Sequence, residues 1–238
     1  EDDEPVVAKF YRPARWSNDA ILEEHEFSAE LQEEELSIVA PLRISEQTLH
    51  EFEGYRFTLF PRQGGHAPEL AHEPSLRHFG QVLARLHNVG SDHPFQHRPQ
   101  ISVKLYGHDA REFILKGSWL PTHMETVFAD LTENLLNEVE QAWQRANPIN
   151  HIRLHGDCHP GNILWRHDTA HFVDLDDSLM GPAIQDIWML LSGERDEMQQ
   201  QLNWFMEGYQ LFRSFNPREL NLLEALRALR LLHYNAWL

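Results

Sequence analysis

With one cysteine in 238 residues, Cys158, the chain cannot form an internal disulfide, and a reducing, cytoplasmic setting is expected. It also lacks any apolar run approaching the ~18–20 residues that span a bilayer, which excludes a helical membrane protein. No signal peptide and no initiator Met precede the first β-rich run; the chain opens on EDDEP, and a fragment is expected. Cations are scarce, with 20 Lys+Arg against 37 Asp+Glu and a net charge of −17. That balance argues against a nucleic-acid partner, which selects a basic face, and favours cationic substrates or partners. Internal repeats and low-complexity segments are absent. Against these absences stand 42% hydrophobic and 11% aromatic residues with seven Trp, the composition of a folded chain with room for one large domain or two lobes.

The densest chemistry lies in His155–Asp177, HGDCHPGNILWRHDTAHFVDLDD. An H-x-D-x-x-x-x-N loop is followed by two short apolar runs around a polar turn, and a carboxylate ends the second run. Phosphoryl transfer from a metal nucleotide needs a carboxylate to take a hydroxyl proton (Asp157). It also needs oxygen ligands for a hard cation, here Asn162 and Asp174, with Asp176 and Asp177 as rivals to the latter. The loop spacing alone is modest evidence, since a chance match in a chain this size is on the order of a few percent. A second reading uses the same cluster differently: His155, Asp157 and His159 alternate as ligands do in metal-dependent hydrolases, and Cys158 could join them. Pro160 and Gly161 suit a loop better than the strand this would need, and Asn162 and Asp174 would then have no role. A non-catalytic nucleotide-binding module is a third reading.

Upstream, Val6–Tyr11 is a short β-rich run carrying Lys9. A helix capped by Ser17 or Asn18 is predicted to run to about Leu36, with Ala20, Phe27 and Leu31 at helical spacing and Ile21 alongside. Glu24 falls within that apolar face and wants a cation, for which Lys9 is nearest in sequence. Val39–Ile44, Gln47–Phe52 and Tyr55–Phe60 read as strands completing a small β lobe. The linker Pro61–Pro68 is short and rich in Gly and Pro, and beyond it the chain is mainly helical. Helices are predicted over Ser75–His87, Thr122–Asn147, Ala183–Leu191, Glu197–Phe212 and Pro217–Leu238. The face Val127, Leu131, Leu135 and Val139 is expected to pack in the second of these. Asn88–Leu120 reads as loop with short helices. Strands are expected at Ile163–Trp165 and His171–Leu175.

A strand lysine, a helix glutamate, a Gly-containing hinge, LARLH, HGDCHPGNILW, FVDLDD and QDIW occur in that order. The chain thereby resembles the aminoglycoside phosphotransferase and choline kinase-like branch of the protein kinase superfamily. VAKFYRPARW, ILEEHEF, RLHGDCHPGNILWR, GPAIQDIWMLL and ALRALRLLHYNAWL narrow the resemblance to the bacterial stress response kinase A family. The resemblance implies an α+β, two-lobe kinase-like fold: a partial small lobe over 1–60, a hinge over 61–68 and a large lobe over 69–238. It implies ATP as co-substrate, Mg²⁺, a Ser/Thr protein substrate or else a small aminoglycoside-, choline- or homoserine-like acceptor, and a monomer. By position, Lys9 would contact phosphates, Glu24 would hold Lys9, Asp157 would be the base, and Asn162 and Asp174 would bind Mg²⁺. His155 and Asp186 would support the loop. At the hinge, Pro61 has no N–H, so Arg62 would donate to adenine and the Phe60 carbonyl would accept. The family's phosphate-covering loop precedes the lysine strand and is not in this chain, and the C-terminal helices are shorter than the family's.

Overall fold

A computed structural model describes residues 5–70, 72–117 and 119–237; Glu1–Glu4 at the head of the expected small lobe, Ala71, Ser118 and Leu238 lie outside the described residues. The chain divides into two compact units. One is Glu1–Pro99 with Ile152–Met180 and Asp186–Phe215; the other is Gln100–His151 with Gly181–Gln185 and Asn216–Leu238.

In the first unit, β1 (Val6–Phe10), β2 (His50–Phe52) and β3 (Tyr55–Pro61) form an antiparallel sheet in the order β1-β3-β2, with Lys9 opposite Thr58. β2 and β3 form a hairpin that closes at Glu53-Gly54, and both residues adopt the positive φ that a tight turn needs. The expected strand at Val39–Ile44 is not formed. Pro41 interrupts it, and only a bridge from Ile38 to Phe172, another between Ile44 and Gln47, and a bond from the Leu42 N–H to the Leu59 carbonyl remain. Helix α1 (Asn18–Glu33) begins where Ser17 Oγ accepts the Ala20 N–H at 3.1 Å, and it buries Ala20, Ile21, Phe27 and Leu31 as the spacing predicts.

Helix α2 (Glu73–Gly90) crosses a later helix of the same unit, Arg195–Tyr209, at very close range. A Cβ on Gly80 would collide with the Phe205 carbonyl, and one on Gly208 with the Arg77 carbonyl. Leu76, Phe79, Leu83 and Leu86 of α2 and Phe205 and Tyr209 of that helix are all fully buried. The buried strand β4 (Ile152–Leu154) leads into the His155 loop. The hairpin β5 (Ile163–Arg166) and β6 (Thr169–Phe172) then carries the chain to Asp174. A short strand β7 (Leu179–Gly181) pairs with β4.

The second unit packs α3 (Ala110–Lys116), α4 (Thr122–Ala146) and a C-terminal helix, Leu223–Trp237, around Ala110, Leu136, Val139, Leu229 and Leu232. The face expected of α4 holds only in its second half: Val139 is buried and Leu135 packs against the core, whereas Val127 and Leu131 are each 64% exposed and Thr132 and Leu136 are buried instead. Arg111 of α3 selects the buried row by donating to Thr132 Oγ1 and the Ala129 carbonyl at 2.8 and 2.9 Å, which turns the neighbouring apolar row outward. No described helix is long and apolar enough to cross a membrane.

The glycine contact sets the first prediction. Gly80→Ala should destabilise the chain by about 1–3 kcal/mol, because backbone cannot yield as a flexible side chain can. Calorimetry would read this as a lower melting temperature; an unchanged value would mean that the two helices separate freely.

Candidate active site

The His155 loop is held from beneath. Asp186, with no exposed surface, accepts the backbone N–H groups of His155 and Gly156 at 2.9 and 2.8 Å and lies 3.2 Å from His87 Nε2. Gly156 has φ +84°, and a Cβ there would strike the Asp177 carbonyl, so the turn admits only glycine. The His155 ring is buried and its Nε2 donates to the Val173 carbonyl at 3.0 Å, propping the loop against the end of β6. Asn162 closes the arrangement: its Nδ2 donates to the Asp157 carbonyl at 3.0 Å, and its backbone carbonyl accepts the Val173 N–H at 3.0 Å. The amide oxygen of Asn162 is left as an acceptor for a ligand. Asp174 follows in the left-handed region (φ 60°), two residues beyond the strand, with its side chain 53% exposed. Carboxylate and amide oxygens are each donors of the kind a hard divalent cation takes.

Lys9 Nζ lies 2.7 Å from Asp174 and 3.5 Å from Asp176. Burial alone would lower its ammonium, but the charges of Glu24, Asp176 and Asp174 outweigh that and hold it above its ordinary value. The same pairing acts on Asp174: burial would raise its carboxyl, and the Lys9 charge and hydrogen bond keep it below its usual value. Direct contact between Lys9 and Glu24, expected from the sequence, is not made. Glu24 is 1% exposed and has Arg98 Nη2 and the Tyr11 hydroxyl at 3.5 Å each. The guanidinium occupies the buried side of the helix where a lysine was expected, while two loop carboxylates draw Lys9 away. Burial pushes the Glu24 carboxyl up to about 7, against the opposing charges of Lys9 and Arg98. Beside it, burial and the same two cations push His25 down to about 3, so its ring is neutral and bonds the Tyr11 hydroxyl and Thr48.

Asp176 and Asp177, the rivals to Asp174, are both taken by Arg15. Neither Arg15 nor Arg98 belongs to a periodic element, so only proximity in space gives each its role. The hydrolase arrangement loses its ligands: His155 is committed to Val173, His159 Nδ1 accepts the Gly161 N–H at 3.0 Å, and burial pushes the Cys158 thiol well up. Among the described residues, no group of three or more His, Cys, Asp or Glu side chains could hold a metal ion.

Next to Lys9 and Asp174 is a cleft of ≈ 430 Å³. Val7, Ala8 and Val39 form one apolar wall, Leu164 and Val173 another, and Phe60, Pro61 and Gln63 its rim. Phe60 lines the cleft, whereas Arg62 does not. Its N–H donates to the Pro5 carbonyl at 3.0 Å, extending the β1–β3 ladder. Alternation along β3 turns the backbone of Phe60, opposite Val7, toward β1 as well, so the carbonyl expected to accept from adenine faces the ladder like the Arg62 N–H.

Residues 1–223 match the phosphotransferase enzyme family, APH. Stress response kinase A of Salmonella choleraesuis (strain SC-B67) is 43% identical over 238 residues, which is all of this chain and 72% of that protein. The serine/threonine protein kinase RdoA of Salmonella typhimurium matches to the same extent, and stress response kinase A of Escherichia coli (strain K12) is 41% identical over the same span. Among solved structures, the amicoumacin kinase hAmiN in complex with AMP-PNP, Ca²⁺ and Ami has a TM-score of 0.77 at 15% identity, covering 98% of this chain and 73% of that one. Spectinomycin phosphotransferase APH(9)-Ia in complex with ADP and spectinomycin has a TM-score of 0.70 at 16% identity, covering 99% and 75%. These structures establish the fold, which is the α+β, two-lobe kinase-like architecture. The chain belongs to the phosphotransferase enzyme family and, within it, to the stress response kinases A.

Proposed function

We propose that the chain transfers the γ-phosphoryl group of ATP, in a Mg²⁺-dependent reaction, to serine or threonine hydroxyls of a protein, acting as a cytoplasmic monomer. The observation that carries this reading is the 2.7 Å contact between Lys9 and Asp174 at the mouth of a base-sized apolar cleft. It brings a phosphate-binding cation and a metal-binding carboxylate to one place. The relatives at 43% identity support a protein as acceptor. Residues 1–60 would act as the small lobe, 61–68 as the hinge and 69–238 as the large lobe. The net charge of −17 favours a basic acceptor segment over a nucleic acid.

In this reading the cleft walls sandwich the adenine, the Phe60–Gln63 rim reads its edge, and the Gln63 backbone takes the part expected of Arg62. Lys9 binds the α- and β-phosphates, and Glu24, close enough to raise its pKa, holds the ammonium charged. Asn162 and Asp174 would hold Mg²⁺, which when bound neutralises charge on the phosphates. Asp157, its main chain fixed by Asn162 and its loop by Asp186, accepts the proton of the attacking hydroxyl.

Asp157→Ala should cut phosphoryl transfer by ~10²–10⁴-fold while leaving MgATP binding largely intact. Labelled-ATP transfer to a casein-like protein, with amines, alcohols and aminoglycosides as rival acceptors, measures the loss and identifies the acceptor class; near-wild-type turnover would remove Asp157 from the mechanism. Asp174→Ala should instead weaken the Mg²⁺-dependent part of nucleotide binding, and an unchanged isotherm would count against the metal role.

Glu24 makes a prediction about pH. Its folded value of about 7 stands above the ordinary 4.5, so the folded chain keeps a proton that the unfolded chain releases. Its contribution to stability is full below the ordinary value and is lost as pH rises through the folded one. Glu24→Gln should therefore flatten the fall in melting temperature between about pH 5 and 7.5. Parallel profiles for the two proteins would show that Glu24 titrates normally.

A further inference from the structure

Arg98 sits in the irregular segment after α2 and is 5% exposed. Its Nε donates to the Ala20 carbonyl of α1 at 2.8 Å, and its Nη1 to the carbonyls of Asp176 and Ser178 at 2.7 and 2.9 Å. Its Nη2 faces Glu24 at 3.5 Å, and the guanidinium lies 4.7 Å from the centre of the Trp16 ring. Burial lowers its pKa, but the charges of Glu24 and Asp176 oppose this and the group remains a cation. The bonds therefore join two elements: α1, which carries Glu24, and the turn that begins at Asp174.

That geometry does more than fill a core. Asp176 is 8% exposed and Ser178 fully buried, so their carbonyls would lose their Arg98 donor if the guanidinium were removed. The turn would then have to move to find partners, and Asp174, two residues before Asp176, would move with it. Lysine cannot replace the group, because a single ammonium on a flexible stem cannot serve carbonyls on two elements in the fixed directions of a planar fork. Arg98 also lines neither wall nor rim of the nucleotide cleft.

We propose that Arg98 is a positioning residue for phosphoryl transfer: it fixes the metal-binding turn against α1, so that divalent-cation affinity depends on a guanidinium lying outside the nucleotide cleft. This rests on the kinase reading above, with Asp174 as metal ligand. Groups that orient a metal ligand without touching the metal typically cost 10–100-fold in metal affinity when removed, and Arg98 belongs with them.

Arg153 is the natural control. It lies in the same unit and is also buried, bonding the Val89 carbonyl at 2.7 Å and Glu30 at 2.8 Å and packing over Phe27. It contacts neither Glu24 nor the Asp174 turn. Nucleotide binding by the full chain should be titrated by calorimetry with and without Mg²⁺, for wild type, Arg98→Lys, Arg98→Met and Arg153→Met, alongside melting temperatures. The Arg98 variants should need roughly tenfold or more Mg²⁺ for half-saturation, with metal-free nucleotide affinity little changed. Arg153→Met should lower the melting temperature without moving the Mg²⁺ requirement. A folded Arg98→Lys with a wild-type Mg²⁺ requirement would overturn the proposal, as would an equal shift in Arg153→Met, which would indicate general loosening. A wild-type chain that binds no nucleotide even with Mg²⁺ would instead overturn the kinase reading, and this proposal with it.

Discussion

A single carboxylate without solvent contact, that of Asp186, sets the geometry of the catalytic loop. A buried charge is stable only when donors surround it, and here they are two successive backbone N–H groups of the loop and the imidazole of His87. Burial keeps that ring neutral, so one tautomer serves both sides. Nε2–H donates to Asp186, and Nδ1 accepts the Tyr209 hydroxyl at 2.8 Å. The packing of α2 on Arg195–Tyr209 thus reaches the backbone of His155 and Gly156 through three side chains. The position of Asp157 follows from that chain of contacts.

The charges near the cleft follow a second constraint. In a chain with a net charge of −17, cations gathered at one place stand out. Lys9, Arg15 and Arg98 converge on Glu24, Asp174, Asp176 and Asp177. The division is unequal. Arg15 and Arg98 are held by the carboxylates and carbonyls of the turn, whereas Lys9 and Asp174 are the pair that borders the cleft. Arg98, buried, and Arg15, half-buried, brace the turn, and Lys9 and Asp174 are the pair left at the cleft.

Much of this was legible in the sequence where a residue's role depends on near neighbours. The Ser17 cap, the buried stripe of α1, the hairpin at Glu53-Gly54 and the β5–β6 hairpin ending near Asp174 are all local. Each is decided by side-chain periodicity or turn chemistry within a few residues. The first half of the α4 face was misassigned because two rows of that helix are apolar, and periodicity cannot say which will meet a partner. The strand at Val39–Ile44 failed because Pro41 lacks the N–H that a ladder needs. Arg62 was misplaced by the same kind of gap: the direction of its N–H depends on which strand lies alongside.

The sequence by itself determined the family, the α+β class and the acid, amide and lysine set, because these reside in residue types at fixed spacing along one chain. Only the tertiary structure decided who pairs with whom. Lys9 meets Asp174 across 165 positions, and Arg98 meets Asp176 and Ser178 across about eighty. An ion pair between distant residues leaves no periodic trace, since it depends on distance and burial in space, and those exist only once the chain has folded.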